Sequence, residues 1–419
     1  MRESKNNKPA IRFQGYTDTW KQCKLGDLGN FKNGMNFSKD AMDKGYPFVN
    51  LQNIFGKNVI DTDHLGLAEA SDSQLKEYNL LKGDVLFVRS SVKLEGVGEA
   101  AMITQDLIDT TYSGFVIRFR DETDMDENFK RYIFGTKPIR DQIMAKATNS
   151  ANKNISQEAL SNVVLCIPSK EEQTTIGDYF IHFDEVIAKN QRKYDHLMRM
   201  RQTLLRKMFP HGQQKVPEIR FKSFSDHWKQ RELGEVIKEF YNGQTPYRLN
   251  KEYWNGSINW LTSGDLNRGI ITHTMEKITE KGRHSAGLRI LPKGTMIIAI
   301  MGLEANGTRG NCGILGIEST INQACMALIT DENILSTEYL FQWYQCFGEH
   351  YAMRITQGTK QQNYNSEILG RLSISYPSIA EQRAIVKFLS SIDSLIALHS
   401  QRIEILKNIK RFMMEKMFV

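Results

Sequence analysis

The chain has 419 residues, of which 40% are hydrophobic and 25% charged, and a net charge of +7. That length predicts two or three domains, and the composition is that of a soluble globular protein rather than a disordered or fibrous one. No apolar run approaches the roughly 18 residues of a membrane span, and the polar opening MRESKNNKP carries no secretory signal.

Residues 9 to 28 read PAIRFQGYTDTWKQCKLGDL, and residues 217 to 236 read PEIRFKSFSDHWKQRELGEV. Ten of the twenty positions are identical, where unrelated sequences of average composition would share about one. The chain is therefore a duplication. In each half the tract leads into short strand-like segments. Asp84-Val-Leu-Phe-Val-Arg89 and Thr295-Met-Ile-Ile-Ala-Ile300 follow Lys-Gly turns and predict buried strands at equivalent places. Helices are predicted over Glu127 to Phe134 and Thr337 to Phe347.

After Pro168 the pattern changes to a helix that continues for about ten turns. Apolar residues fall at Ile176, Phe180, Phe183, Ile187, Tyr194, Leu197, Leu204 and Met208, with Asn190 and Arg201 in the two gaps. The second half repeats the series at Ile385, Leu389, Ile392, Ile396, Ile403, Leu406, Met413 and Met417, with His399 and Lys410 in the gaps. A spacing of four and three sustained this long predicts a coiled coil, and the simplest burial of both seams pairs the two helices antiparallel. The alternative is two amphipathic helices, each lying on its own domain. The intervening Pro210-His-Gly-Gln-Gln-Lys-Val-Pro217 reads as a linker.

Ile167-Pro168-Ser169-Lys170-Glu171-Glu172-Gln173-x-x-Ile176, followed by Phe183-Asp184, resembles the P-x-x-EQ-x-x-I…LD hallmark of type I restriction–modification specificity subunits. Tyr376-Pro377-Ser378-Ile379-Ala380-Glu381-Gln382-x-x-Ile385, followed by Ile392-Asp393, repeats it, and Gly243-Gln244-Thr245-Pro246 with Tyr253 to Leu261 is also similar to that family. The first copy is looser, since Asn33-Gly34-Met35-Asn36 lacks the Thr-Pro.

The resemblance implies an α+β fold with two globular target-recognition domains, each a mixed β-sheet with helices. Two long antiparallel coiled-coil helices would join them in an internal pseudo-two-fold repeat. The expected boundaries are 1–167, helix 168–209, linker 210–217, 218–376 and helix 377–419. It implies a non-catalytic cytoplasmic subunit that recognises double-stranded DNA with a split target, one domain per half-site. The expected partners are two methyltransferase subunits and two restriction subunits. No cofactor is expected on this chain; S-adenosylmethionine would sit on the methyltransferase, and ATP with Mg on the restriction subunit.

The residues agree with an absence of catalytic machinery. No Pro-Pro occurs for an adenine-flipping loop, and Gly302-Leu-Glu-Ala-Asn-Gly307-Thr-Arg lacks the Lys-Ser/Thr of a P-loop. The nine histidines show no metal-like spacing, and Cys23, Cys166, Cys312, Cys325 and Cys346 form neither zinc pairs nor a disulfide framework. A standalone DNA-modifying enzyme with an unrecognised site, or a scaffold that binds no DNA, would be the alternative readings.

Candidate DNA-reading residues lie in polar segments at equivalent places. In the first domain they are Arg89, Ser90, Ser91 and Lys93, then Thr148, Asn149, Asn152 and Lys153. In the second they are Asn306, Thr308 and Arg309, then Gln357, Thr359, Lys360, Gln361 and Gln362. Asn and Gln can pair with adenine, and Lys or Arg with guanine or phosphate; ordinary surface loops are the alternative. Ile176, Phe180, Phe183, Ile187, Ile385, Leu389, Ile392 and Ile396 are the expected helix seam and partner-docking positions, with Asn190, Arg201, His399 and Lys410 as register-setting polar residues. Trp20 and Trp228 read as structural anchors rather than base-stacking residues.

Overall fold

The computed structural model describes residues 7–148, 152–212, 214–302, 310–356 and 365–419. It divides into two compact units, Met1–Arg192 with Ser400–Val419, and Lys193–His399.

Unit 1 contains β1 (Lys21–Lys24), β2 (Gly29–Asn33), β3 (Met42–Val49), β4 (Gly66–Ala68), β5 (Val85–Val88), β6 (Ser90–Ser91), β7 (Ala100–Met102), β8 (Thr111–Tyr112), β9 (Val116–Asp121), β10 (Lys153–Asn154) and β11 (Val164–Ile167). They form a four-stranded sheet β2-β9-β5-β7, a three-stranded sheet β4-β3-β8, and the ladders β1-β11 and β6-β10. β5 sits inside its sheet with all four residues buried, which is why Val-Leu-Phe-Val shows no polar alternation. The turn before it places Gly83 at φ +86°, a conformation that a side chain would strain.

Unit 2 contains β12 (Lys229–Glu232), β13 (Ile237–Asn242), β14 (Trp254–Leu261), β15 (Ile270–Ile271), β16 (Glu276–Ile278), β17 (Met296–Ala299), β18 (Cys312–Leu315), β19 (Thr320–Ile321), β20 (Cys325–Thr330) and β21 (Ser373–Tyr376). The sheets are β13-β20-β17-β18-β15 and β16-β14-β19, with the ladder β12-β21. The strand order repeats that of unit 1 with β15 added at one edge. The small sheets repeat in detail: β3 pairs parallel with β8, and β14 with β19. Asp43 (φ 65°) and Asn255 (φ 60°) hold left-handed conformations near the start of β3 and β14, where the pairing with β4 and β16 shifts register. Gly294 (φ +86°) repeats the turn of Gly83.

Two long helices, Lys170–Lys207 and Ile379–Met417, complete the chain. Each core takes in the far end of the helix from the other repeat. In unit 1, Phe418 lies against Phe129 (5.4 Å), Phe180 (5.7 Å) and Trp20 (6.5 Å). In unit 2, Phe209 lies 5.3 Å from Tyr339, in a core that also contains Trp228 and Met208. Trp20 and Trp228 are buried in these cores, as expected of anchors.

Candidate nucleic-acid interface

The duplicated motifs act first as a clamp between each long helix and its domain. Arg12 donates to both carboxylate oxygens of Glu172 at 2.7 Å, and Arg220 to those of Glu381 at 2.7 and 2.8 Å. The side chains of Glu172 and Glu381 are 2% and 1% exposed, so these are charge-assisted, bidentate pairs largely removed from water. Each carboxylate raises the pKa of its guanidinium further. The neighbouring glutamines close the joint. Gln173 donates to the Pro168 carbonyl (3.1 Å) and accepts from Asp126 N (3.0 Å); Gln382 donates to the Pro377 carbonyl (3.0 Å) and accepts from Ser336 N (2.9 Å). The Pro-x-x-x-Glu-Gln string thus fixes where each helix leaves its sheet. Arg12 and Arg220 escaped sequence reasoning, although both sit in the Ile-Arg-Phe of the duplicated tract.

A second repeated device lies farther along the helices. In unit 2, Arg201 meets Asp393 (2.9 and 3.3 Å) and also donates to Gln342 (2.9 Å) and Gln345 (2.6 Å). In unit 1, Lys410 meets Asp184, which also accepts from Tyr132 Oη at 2.6 Å. Arg201 and Lys410 are 209 residues apart, as are Asp184 and Asp393. Burial, and then the bond to Asp184, pushes the Tyr132 phenol up. In both units the contact joins the two long helices running in opposite directions.

Among the other seam positions, Ile176, Phe180, Ile385, Leu389 and Ile392 are buried, whereas Phe183, Ile187, Ile396 and His399 are half-buried. Ile176 and Phe180 belong to the core of unit 1, and Ile385 and Leu389 to that of unit 2. The first turns of each helix are therefore part of a domain core as well as of a helix contact. Asn190 is 5% exposed, and its Nδ2 donates to the Val186 carbonyl at 2.8 Å.

Unit 1 brings its two candidate DNA-reading segments together. Ser90 and Ser91 of β6 pair with Asn154 and Lys153 of β10, and Thr148 N donates to the Asn154 carbonyl at 2.8 Å. Ser90, Ser91, Lys93 and Asn152 line a groove of about 510 Å³ with Phe55, Val92, Glu99 and Phe115. Arg89 lies behind it: its main-chain N donates to the Phe115 carbonyl (2.8 Å), and Nη1 donates to the Gly114 carbonyl (3.3 Å). Arg89 thus holds the β8–β9 turn that presents Phe115. Phe55 and Phe115 carry no polar-loop signal in the sequence; only the fold exposes them.

Asn149 of the first domain lies outside the described residues, as do Asn306, Thr308, Arg309, Gln357, Thr359, Lys360, Gln361 and Gln362 of the second. The turn equivalent to 113–115 is Asn322-Gln323-Ala324, where Gln323 accepts from Thr245 Oγ1. Among the described residues no cluster of His, Cys, Asp or Glu could hold a metal ion, and no helix is long and apolar enough to cross a membrane.

The chain is 31% identical over 195 residues to the type I restriction enzyme MjaIX specificity subunit of Methanocaldococcus jannaschii, covering 46% of this chain and 43% of that one. It thus spans less than half the length of that relative. The putative type I restriction enzyme MjaX specificity subunit of the same organism is 21% identical over 407 residues, covering 95% of this chain and 92% of that one. In fold, the chain is similar to the type I restriction-modification system S subunit from M. genitalium, with a TM-score of 0.59, 15% identity, and coverage of 98% of this chain and 99% of that one. The model for the type I restriction modification DNA specificity domain matches residues 17–199 and again 225–408. With both halves matched by the same model, the chain belongs to the type I restriction modification DNA specificity domain family.

Proposed function

We propose that this chain is the sequence-reading, non-catalytic subunit of a type I restriction–modification complex. It recognises a bipartite duplex, one half-site per recognition domain. The observation that carries this reading is the double family match on two units of the same strand order whose turns differ in chemistry. A repeated frame with divergent loops is what two words read by one architecture require.

The relatives are named as subunits, and this chain offers a surface for partners. On the part of the second long helix that belongs to unit 1, Ile405, Ile409 and Phe412 are 42–51% exposed. A run of large apolar side chains on an exposed helix face marks a protein contact. Two methyltransferase subunits dock along the two long helices, and restriction subunits join through them. S-adenosylmethionine is bound by the methyltransferase, ATP and Mg by the restriction subunit, and nothing by this chain. The assembly works in the cytoplasm, where five cysteines without a disulfide framework fit.

The experiment is domain exchange. The chain is co-expressed with its methyltransferase, methylated adenines are mapped genome-wide, and residues 20–165 are then replaced by the equivalent segment of a relative. One half of the split target should change and the other persist. Methylation by this chain alone, or a change in both halves, overturns the proposal.

A further inference from the structure

The rim of the groove in unit 1 is apolar where a phosphate-tracking surface would be charged. Phe115 is 58% exposed and Val92 78% exposed, and Phe55 lies on the same groove at 37%. The backbone that presents these side chains is held in place. Phe115 follows a glycine whose carbonyl is held by Arg89 Nη1, its own carbonyl accepts from Arg89 N, and its N donates to Ser113 Oγ at 3.3 Å. Val92 sits between Ser91, paired to β10, and Lys93, whose N donates to Ser91 Oγ at 3.2 Å. Exposed apolar groups on a held backbone mark a contact site.

The surroundings identify the occupant. Lys93 lines the groove with Glu95 and Glu99, of which Glu99 already accepts from Gly56 N at 2.7 Å, and Lys153 adjoins it through its pairing with Ser91. Ser90, Ser91 and Asn152 add hydrogen-bonding groups. A groove with hydroxyl and amide groups beneath an apolar rim matches the edge of a base pair. In the major groove a base pair presents only one apolar group, the 5-methyl of thymine.

We propose that Phe115 and Val92 read thymine 5-methyl groups, so that the half-site of the first domain is selected partly by apolar contact at one or more thymines. This rests on the DNA-reading function proposed above. The equivalent turn in unit 2, Asn322-Gln323-Ala324, replaces the phenyl ring by a methyl group and offers an exposed Gln323. The two words are therefore selected by different chemistry.

The test uses the complex of this chain with its methyltransferase and the duplex identified by methylation mapping. Each thymine in either half is replaced in turn by deoxyuridine, which removes only the 5-methyl. At one or more positions in the first-domain half, affinity should fall roughly three- to ten-fold, as expected for one buried methyl. In Phe115→Ala and Val92→Ala complexes the penalty at those positions should shrink below about two-fold; both side chains are exposed enough for the fold to survive. Full affinity for every deoxyuridine duplex overturns the thymine assignment while leaving DNA reading intact. Unchanged DNA binding with weakened methyltransferase binding in the Phe115→Ala variant makes the patch a protein contact and overturns it as well. No sequence-dependent DNA binding by the wild-type complex overturns the functional reading itself.

Discussion

Between β8 and β9 the turn is Ser113-Gly114-Phe115, and between β19 and β20 it is Asn322-Gln323-Ala324, although the flanking strands keep a constant spacing of 209 residues. The clamps behave in the opposite way: Arg12–Glu172 and Arg220–Glu381 are the same residues in nearly the same geometry. The difference follows from what each position must satisfy. A nearly buried carboxylate tolerates few partners other than a guanidinium fork, whereas a side chain at an open turn answers only to what docks on it. The frame is constrained from within and the corner from without.

Breaking the frame should have the largest effect. Glu172→Ala or Glu381→Ala leaves a guanidinium without its carboxylate, and each should cost about 3–5 kcal/mol in denaturant unfolding. Similar losses in both variants would support a shared frame; a large loss in only one would mean that the clamp matters to one unit alone. Next come the aromatic plugs. Phe418→Ala should cost about 3 kcal/mol and reduce hydrogen-exchange protection in β5 and β9, sparing β17 and β20; Phe209→Ala should do the reverse. Loss of protection in both units from either variant would contradict their separate cores.

A smaller effect distinguishes the units by pH. Asp121 ends β9, whereas Thr330 ends β20. Burial works to raise the Asp121 pKa, but bonds from Thr123 and the Lys130 ammonium outweigh it and hold the carboxyl below its ordinary value. A depressed folded-state pKa gives stability that is present above the unfolded carboxylate value and lost as pH falls through the folded one. Unit 1 should therefore lose stability on acidification below about pH 4, and Asp121→Asn should flatten that part of the profile. An unaltered acid profile in the variant would remove Asp121 as the cause.

Much of the frame was legible before folding was considered. Val85 to Val88 declared themselves by a burial pattern local to one element, and the duplicated tract matched the halves. The hydrogen-bond partners did not declare themselves, because Arg12 and Glu172 are 160 positions apart and neither belongs to a periodic series. Arg201 and Lys410 stood out as polar gaps, yet Asp393 and Asp184 became their partners only through the opposite direction of the helices. At the corner, polarity directed attention to Ser90 and Asn152; Phe115 resembles a core residue in sequence and is revealed only by its exposure.

The aromatic plug in unit 1 also bears on biosynthesis. Residues 193–399 are continuous, so the second lobe has all its parts once position 399 has left the ribosome. The first lobe, made earlier, still lacks Met417 and Phe418. At ordinary elongation rates its nest of Trp20, Phe129 and Phe180 waits on the order of ten seconds or more for its final ring. The nascent lobe is thus a natural client for chaperones.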